Sequence, residues 1–356
     1  MATVADVVPL IGENRILVKA GIQALRKTTK VPFLKLFEAC SLERASINSY
    51  HLGFVLGPCF NAVGRLGDIS LAFRFLGTDD EEEATRMAER IRGLNEERKQ
   101  MTEEGFKKAL EIVEARETVE PVLLVYLQNV HESVIGIIAG RLKEKYARPA
   151  LVFTDAEGGL IKGSGRSIPA YNMVVSLTKA KAYLEKFGGH KMAAGMSLKK
   201  ENFEALRAFL NETQTLTEED LTPKVEIDAQ IPLMYVTEEL VNDLEIMEPF
   251  GQGNPKPLFA GKHFGIRRIM VIGKTRTHAK LIITDDSGAT VEAMLYGRAD
   301  EFFDYVRQVH GEGRLSALLS GYTQPVDMAF TFQPGINDFR GMRNVQIVIQ
   351  NYCKIS

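Results

Sequence analysis

Two glycine-rich segments carry the side chains that could hold a phosphate. The first spans residues 163–167 (GSGRS), and the second spans residues 188–195 (GGHKMAAG). Arg166 offers a planar fork of donors, and His190 offers a donor whose charge changes near neutral pH. Glycine lets backbone N–H groups approach an anion closely, and the two serines of the first segment add hydroxyl donors. We therefore predict a pair of anion-binding turns, although each segment alone could be an ordinary glycine turn, with His190 capping it.

The elements around these segments predict an α/β layer. Apolar side chains at helical spacing predict a helix over residues 171–187, bracketed by the two turns. Upstream, residues 121–127 form an apolar strand, followed by a helix over residues 133–146 and strands over residues 149–154 and 158–167. Strand–helix–strand order implies a parallel pair of strands.

A histidine stands just before the helix of this layer. His131 precedes residues 133–146, so a helix N-terminus and an imidazole could face the same anion. The residue four positions after it is Ile135, which excludes an HExxH zinc motif. The alternative is an ordinary loop histidine.

A long helix is predicted over residues 79–117. Acidic residues fill its first turn, where the helix dipole favours them, and Thr78 or Asp79 would cap it. One stripe of the helix is formed by Ala84, Met87, Ala88, Ile91, Leu94 and Arg98. At ~1.5 Å per residue the helix would reach roughly 50 Å, a length that suits a connector between two lobes.

The first 40 residues predict a strand and two helices. Residues 3–10 are typical of the end of a buried strand. Asn14 would cap a helix over residues 15–25, and Pro32 would open another over residues 33–40.

The C-terminal third predicts a small β-barrel. The sequence first predicts a helix over residues 201–210 and a polar linker over residues 211–224. A strand over residues 225–231 and a helix over residues 237–247, capped by Thr237, follow. A structured loop is then predicted at residues 248–258. Short strands are then predicted at residues 262–273, 278–284, 290–296, 314–322 and 344–350, separated by turn signals. Aromatic and basic side chains of such a barrel can grip single-stranded nucleic acid. The candidates are Phe264, Arg267, Arg268, Lys274, Arg276, His278, Lys280, Tyr296, Arg340 and Arg343.

Two of these candidates have a competing interpretation. Phe264 and Tyr296 could belong to the barrel core, because buried aromatic rings are common in small barrels. Lys274, Arg276 and Lys280 are stronger candidates because they cluster around one hairpin.

Composition narrows the class of protein. The chain has 356 residues, a hydrophobic fraction of 45% and a formal net charge of −2, which suit a globular protein of two or three domains. No stretch has the length of a membrane span, and no secretory signal opens the sequence. The three cysteines lie far apart, which suits a reducing cytoplasm and argues against a structural zinc site. Between residues 140 and 200 there are 12 Lys and Arg against 4 Asp and Glu, which suggests a local anion-binding face or a solvated mixed surface.

Several segments together resemble the DHH phosphoesterase superfamily. The GSGRS and GGHKMAAG segments resemble its DHH-associated domain, as do residues 136–142 and 148–150. Residues 3–10 and the Asn-Ala and Gly-Arg-Leu segments within residues 56–66 resemble its catalytic domain. The sequence EPFGQGNP at residues 248–255 narrows the resemblance to the RecJ family of single-strand-specific 5′→3′ DNA exonucleases.

The resemblance implies roles for individual residues. Asp6 would be a metal ligand and a catalytic residue, and His190 would point at the substrate phosphate and could help as an acid. Arg65 would hold a DNA phosphate or the scissile group, unless it pairs with Asp68. The substrate-binding residues would be Asn61, Arg65, His131, Ser164, Arg166, Ser167, Gly188, Gly189, Lys274, Arg276 and Lys280.

The fold class implied is a multidomain α/β protein. A partial DHH domain would cover residues 1–80, a connecting helix residues 81–117, an α/β DHH-associated domain residues 118–211, and a C-terminal OB-fold β-barrel residues 224–356. The cofactor implied is Mn²⁺ or Mg²⁺. The sequence contains no Asp-His-His tripeptide, and a lone aspartate cannot hold such an ion. We therefore expect a truncated form that keeps the DNA-binding half.

The function implied is that of a metal-dependent exonuclease of DNA repair and recombination. Its partners would be single-stranded DNA and a single-strand-binding protein or a helicase, in the cytoplasm and away from membranes. Two alternatives stay open. One is a non-catalytic module that binds single-stranded nucleic acid, and the other is a DHH-family phosphodiesterase acting on short oligonucleotides.

Overall fold

The computed structural model describes residues 1–321, 324–339 and 342–355. The chain divides into two compact units. The first unit consists of Met1–Ala5 and Gly21–Lys224, and the second consists of Asp6–Ala20 and Val225–Ser356.

Six helices form the first part of the chain. They are α1 (Ala2–Ala5), α2 (Gly12–Arg26), α3 (Val31–Ala39), α4 (Gly57–Leu66), α5 (Ser70–Gly77) and α6 (Glu81–Glu114). A π-helical turn, His51–Leu56, leads directly into α4. The predicted helices over residues 15–25 and 33–40 are confirmed as α2 and α3, and Pro32 lies in the first turn of α3.

Two details of this part were wrong in the sequence prediction. Residues 3–10 do not form a buried strand, because the N–H groups of Val4 and Ala5 both bond to Met1 O at 3.0 Å and close a helical turn. Asn14 lies inside α2 instead of capping it, and its side-chain amide donates to Pro9 O at 3.2 Å.

The long helix is confirmed as α6. Its buried side includes five members of the predicted stripe, Ala84, Met87, Ala88, Ile91 and Leu94. The N-cap is Asp80, whose carboxylate accepts a hydrogen bond from Glu83 N at 2.7 Å, so the predicted cap lay one or two residues too early.

A five-stranded mixed sheet forms the rest of the first unit. Its strands are β1 (Leu123–Tyr126), β2 (Ala150–Asp155), β3 (Leu160–Arg166), β4 (Lys186–Gly189) and β5 (Ala193–Lys199). Its helices are α7 (Glu132–Tyr146), α8 (Met173–Lys179) and α9 (Phe203–Thr213). The strand order is β1-β2-β3-β5-β4, and only β1 and β2 are parallel within the described sheet, which confirms the predicted parallel pair.

Buried side chains cover both faces of this sheet. Leu123 and Val125 pack with α6 and α7 on one face, whereas Leu124, Leu151 and Phe153 pack with α8 and α9 on the other. A central strand that is apolar on both sides is what a covered sheet requires.

The region of the two glycine segments differs from the prediction. Residues 163–166 belong to strand β3 and are not a turn. Residues 171–187 are not one helix, because α8 ends at Lys179, a 3₁₀ turn follows at Lys181–Tyr183, and β4 then pairs with β5. Pairing with the next strand, across the short turn at residues 190–192, overrides the local helical spacing.

The second unit is an OB-like β-barrel with added helices, as predicted. Its elements are β6 (Ala229–Gln230), α10 (Glu238–Glu245), β7 (Phe259–Ile272), β8 (His278–Thr284), β9 (Thr290–Leu295), α11 (Ala299–His310), α12 (Glu312–Ser320), β10 (Val326–Phe339) and β11 (Met342–Cys353). The strand order is β10-β11-β9-β8-β7-β6, and a further pairing of β10 with β7 closes the barrel. The cap of α10 is Thr237, as predicted.

Part of the predicted barrel was wrong. The segment over residues 314–322 is not a strand, since residues 312–320 form α12, while Tyr322 lies outside the described residues. Strand β10 was missed because it contains Pro334 and Gly335, which weaken a strand pattern.

The EPFGQGNP segment is the structured loop that the sequence predicted. Asn254 fastens it by donating its side-chain amide to Met247 O at 2.9 Å and to Pro249 O at 3.0 Å. Leu10 N donates to Gln252 O at 2.6 Å. A Cβ on Gly251 would lie 2.7 Å from the Leu10 side chain, so only glycine permits this close approach.

Candidate nucleic-acid interface

The floor of a cleft in the first unit is one face of strands β3, β5 and β4. Strand register places Lys162, Ser197 and Lys186 side by side in one row across the three strands. The next row is Ser164, Gly195 and Gly188. Alternate residues of a strand share a face, so Arg166 follows Lys162 and Ser164 on the same side.

The glycines of β3 serve the opposite face. A Cβ on Gly163 would lie 2.3 Å from the Phe153 ring, and one on Gly165 would lie 3.0 Å from Met173. These glycines therefore let core side chains pack directly against the strand, while the polar residues between them face the cleft.

The wall of the cleft includes the N-terminus of α7. His131 is the N-cap of this helix, and its Nδ1 accepts a hydrogen bond from Ser133 N at 3.2 Å. Gly136 lies one turn into the helix. A Cβ on this residue would be 2.9 Å from Ser164 Oγ and 2.9 Å from an Arg166 nitrogen. Glycine at this position leaves room for the donors of β3 beside the helix.

Arg65 on α4 closes another side. Its guanidinium donates to Ser133 O at 2.7 Å, so the interpretation that it pairs with Asp68 is wrong. Asp68 instead accepts hydrogen bonds from the N–H and hydroxyl of Ser70. The cleft has a volume of about 630 Å³, and its lining includes Arg65, His131, Lys162, Ser164, Lys186 and Phe187.

Positive charge in the cleft is poorly compensated. Arg166 donates to Ser164 Oγ at 3.1 Å and to Gly165 O at 2.9 Å, and neither Arg65 nor Arg166 forms an ion pair with a carboxylate of the described residues. Burial lowers the pKa of Arg166, and the neighbouring Arg65 lowers it further. Among the described residues of the lining, Glu132 is the one carboxylate, and it pairs with Lys162 at 2.5 Å. An anion would relieve the repulsion between the two arginines.

The structure brings several predicted site residues together. Arg65, His131, Ser164 and Gly188 line the cleft, and Arg166 lies beside Ser164. Lys162, Lys186 and Phe187 line it too and were missed. The alternation of Lys162, Ser164 and Arg166 was the sequence signal for a shared strand face.

Four other predicted residues lie elsewhere. Ser167 is 1% exposed and its hydroxyl donates to Tyr171 O at 2.6 Å, so it is a structural residue and its predicted role in binding is wrong. Gly189 has a positive φ of 154° and packs against Ala193 and Ala194. His190 is exposed in the β4–β5 turn, with its N–H on Ala193 O. The remaining residue, Asn61, is exposed on α4.

The barrel residues give a mixed outcome. Lys274 and Arg276 are exposed in the β7–β8 hairpin, whereas Lys280 pairs with Glu292 at 2.5 Å. Phe264 is buried in the barrel core. Tyr296 is half exposed against His278 and is not a core residue.

The remaining barrel candidates were the outer arginines. Arg343 pairs with Glu238 at 2.8 Å. Arg267 Nε donates to Thr284 Oγ1 at 3.4 Å, and Arg268 lies on the same strand, β7. Arg340 lies outside the described residues.

The donors for a divalent metal do not fit such an ion. Asp6 is exposed between α1 and α2 in the second unit. Across the described ranges, no three His, Cys, Asp or Glu side chains come together to hold a metal. Mn²⁺ and Mg²⁺ need several oxygen or imidazole ligands.

Of the helices in the described residues, none combines the length and the apolar character needed to span a bilayer.

Comparison with known families places the two folded regions. Residues 120–215 match the family described as the DHHA1 domain, and residues 227–351 match the family described as the RecJ OB domain. These matches put the chain in the DHH class of proteins.

Three relatives make the assignment more specific. The single-stranded-DNA-specific exonuclease RecJ of Bacillus subtilis (strain 168) is 36% identical over 290 residues, which cover 81% of this chain and 37% of that protein. The exonuclease of the same name from Escherichia coli (strain K12) is 34% identical over 367 residues, which cover 100% of this chain and 60% of that protein. A crystal structure of RecJ in complex with Mn²⁺ from Thermus thermophilus matches with a TM-score of 0.79 and 25% identity, over 99% of this chain and 48% of that chain. This chain belongs to the RecJ family.

The match covers only part of the relatives. The chain spans between 37% and 60% of the length of the curated relatives. Crystal structures of the Thermus thermophilus protein are complexes with Mg²⁺ and with Mn²⁺.

Proposed function

We propose that this chain is the DNA-holding part of a RecJ-like, single-strand-specific 5′→3′ exonuclease. Its cleft would take the terminal 5′-phosphate of a single strand. The observation that carries the proposal is the pair of arginines: Arg65 lines the cleft, Arg166 lies beside its lining residue Ser164, and neither has a carboxylate partner among the described residues. A phosphate would supply the missing negative charge and accept their hydrogen bonds.

The other cleft residues would divide the work of binding. Ser164 would donate its hydroxyl, and Gly188 would let the strand approach the sheet closely. Lys162 and Lys186, one row away, would meet a following phosphate. His131 would add a donor beside the N-terminus of α7.

The barrel would bind single-stranded DNA through one of its hairpins. Lys274 and Arg276 are exposed on one hairpin and can neutralise phosphates, while the sequence-independent part of the affinity would come from such contacts. Asn61, Gly189 and His190 remain proposed contacts of the first unit. We also propose the domain boundaries at residues 1–80, 81–117, 118–211 and 224–356.

Hydrolysis of DNA is proposed for the whole RecJ-like exonuclease. It is not assigned to residues of this chain. A divalent Mn²⁺ or Mg²⁺ ion, when bound, would activate water and stabilise the leaving oxygen. The described residues offer no such site, so the chain is expected to bind DNA without cutting it. The role of Asp6 as a metal ligand stays a prediction.

The experiment that tests this is a paired assay on one single strand in 5′-phosphate and 5′-hydroxyl forms. Binding and nucleotide release are scored together, with Mn²⁺ present. We expect the phosphorylated strand to bind roughly 10-fold more tightly, as one added charge-assisted contact predicts, without release. Arg65→Ala should abolish the preference, whereas Arg90→Ala, an exposed arginine of α6, should keep it.

The outcomes separate the alternatives. No binding at low salt, or equal binding of the two strands, would refute the proposed phosphate site. Release that Asp6→Ala removes would show that a metal is held after all, and would contradict the binding-only assignment. Tight binding of a dinucleotide in competition with the long strand would favour a phosphodiesterase of short oligonucleotides instead.

The cellular setting follows from the same proposal. All three cysteines are free, which suits the reducing cytoplasm where DNA repair and recombination would take place. A single-strand-binding protein or a helicase stays a predicted partner.

A further inference from the structure

Two of the three cysteines lie against each other in the first unit. Sγ of Cys40 and Sγ of Cys59 are 3.9 Å apart, although 19 positions separate them in sequence. Cys40 is the C-cap residue that follows α3, and Cys59 lies in the first half of α4. Both helices pack against α6, which holds the two thiols in contact.

The two thiols have different environments. Cys40 is half-buried, and a hydrogen bond from the Cys59 thiol lowers its pKa, with the cations of Arg92 and Lys99 acting in the same direction. Arg92 is held at this end of α3 by a hydrogen bond to Ala39 O at 3.2 Å. Cys59 is 1% exposed, and the same hydrogen bond together with burial raises its pKa. Cys40 is therefore the more acidic and more accessible thiol, and Cys59 is its buried partner.

We infer that Cys40 and Cys59 form a reversible disulfide when the protein meets a peroxide. The sulfurs must approach from 3.9 Å to about 2.05 Å. Cys40 can supply this movement because it is followed by Ser41 at a positive φ of 54° and by an irregular segment, outside the regular part of α3. The inference does not depend on the proposed DNA-binding function.

The chemistry balances with the peroxide as the oxidant. The Cys40 thiolate attacks one peroxide oxygen, the O–O bond breaks, and hydroxide leaves as a sulfenic acid forms on Cys40. The Cys59 sulfur then attacks the Cys40 sulfur, the S–O bond breaks, and the Cys59 proton leaves with that hydroxyl as water. Two thiols are oxidised, and the peroxide is reduced to water.

The test is a count of free thiols in the full chain. Reduced protein, alkylated after unfolding, should show all three thiols, and protein treated with hydrogen peroxide while folded should show one. A reductant such as dithiothreitol should restore the other two. Peptide mapping of the unreduced wild type should recover residues 40 and 59 in one linked pair.

Two variants sharpen the result. Cys353→Ser removes the exposed thiol of β11 and should still lose both remaining thiols on oxidation. Cys59→Ser should stop at the sulfenic acid on Cys40, which a dimedone probe captures. The mapping of the wild type keeps the test decisive even if a variant fails to fold.

Three results would overturn the inference. One is three free thiols after peroxide treatment of the folded protein. Another is a loss of thiols that requires Cys353. The third is a disulfide between two molecules, seen as a dimer on a non-reducing gel.

Discussion

The cleft of the first unit and the barrel of the second both carry basic residues, but their charges are arranged differently. In the barrel unit, Lys280 pairs with Glu292, Arg343 with Glu238, and Arg307 with Glu312. At the cleft, the charge of Arg65 acts on Arg166 beside Ser164, and neither arginine has an ion pair with a described carboxylate. A partly buried cation without a carboxylate partner is therefore a better indicator of an anion-binding site than the number of basic residues.

The two regions share one device, which is a glycine that lets a strand pass over a phenylalanine ring. A Cβ on Gly163 would lie 2.3 Å from Phe153, and one on Gly261 would lie 2.1 Å from Phe264. In the first unit, the residues that alternate with Gly163 face the cleft. In the barrel, the ring beside the glycine belongs to the hydrophobic core.

Replacing the strand glycine of the cleft should give the largest effect. Gly163→Ala would drive a methyl group into the Phe153 ring, and overpacking of this kind costs about 1–3 kcal/mol of unfolding free energy. Urea denaturation should show a lower midpoint for the first unit. Gly188→Ala is the matched control, since no atom of the described residues lies within 4 Å of its added Cβ. Equal midpoints for the two variants would contradict the packing role of Gly163.

Replacing Arg166 should give the next largest effect. Arg166→Ala should weaken binding of a 5′-phosphorylated single strand roughly 10- to 100-fold, as loss of a charged hydrogen-bonding group predicts. Arg166→Lys should recover only part of the affinity, because an ammonium keeps the charge and loses the planar fork. Fluorescence anisotropy on both strand forms would measure this. An Arg166→Ala variant that still prefers the phosphorylated strand would break the contrast between cleft and barrel.

Elements with strong local signals were predictable from the sequence. Three elements could be predicted from neighbouring residues alone. They are strand β1 from its apolar run, helix α6 from its apolar stripe, and the start of α10 from the capping residue Thr237. The helix predicted over residues 171–187 was wrong because β4 pairs with β5, the strand that follows it after a short turn, and apolar side chains at helical spacing do not exclude such a hairpin.

The site was predicted in part for the same reason. Arg65, Ser164 and Arg166 were predicted from the motifs that the sequence shares with a known family. Lys186 was missed because only the register of three strands places it in the same row as Lys162. The prediction for Ser167 was wrong because residue type alone cannot show that a hydroxyl is buried and donates to a backbone carbonyl.

The barrel hairpin should give a smaller, salt-dependent effect. Lys274→Ala with Arg276→Ala would remove two exposed cations, and the slope of log affinity against log salt should fall in magnitude by roughly 0.7 for each phosphate that the protein no longer neutralises. The preference for a 5′-phosphate should remain. Arg307→Ala is the control, because this cation is already paired with Glu312 at 2.5 Å. An unchanged slope in the double variant would remove the hairpin from the DNA-binding surface.

The smallest effect concerns acid stability and also distinguishes the two units. The Tyr126 hydroxyl donates to Asp155 at the end of β2, and this bond, followed by one from Asn129 N, lowers the pKa of that carboxyl below its ordinary value. A lowered folded pKa means that the interaction stabilises the first unit fully above the unfolded value of about 3.9 and disappears as pH falls through the folded value. Asp155→Asn cannot titrate, so the difference between its urea midpoint and that of the wild type should shrink between pH 7 and pH 3. Because Asp155 belongs to the first unit, the change should appear in the transition of the sheet, and a change in the barrel transition alone would contradict it.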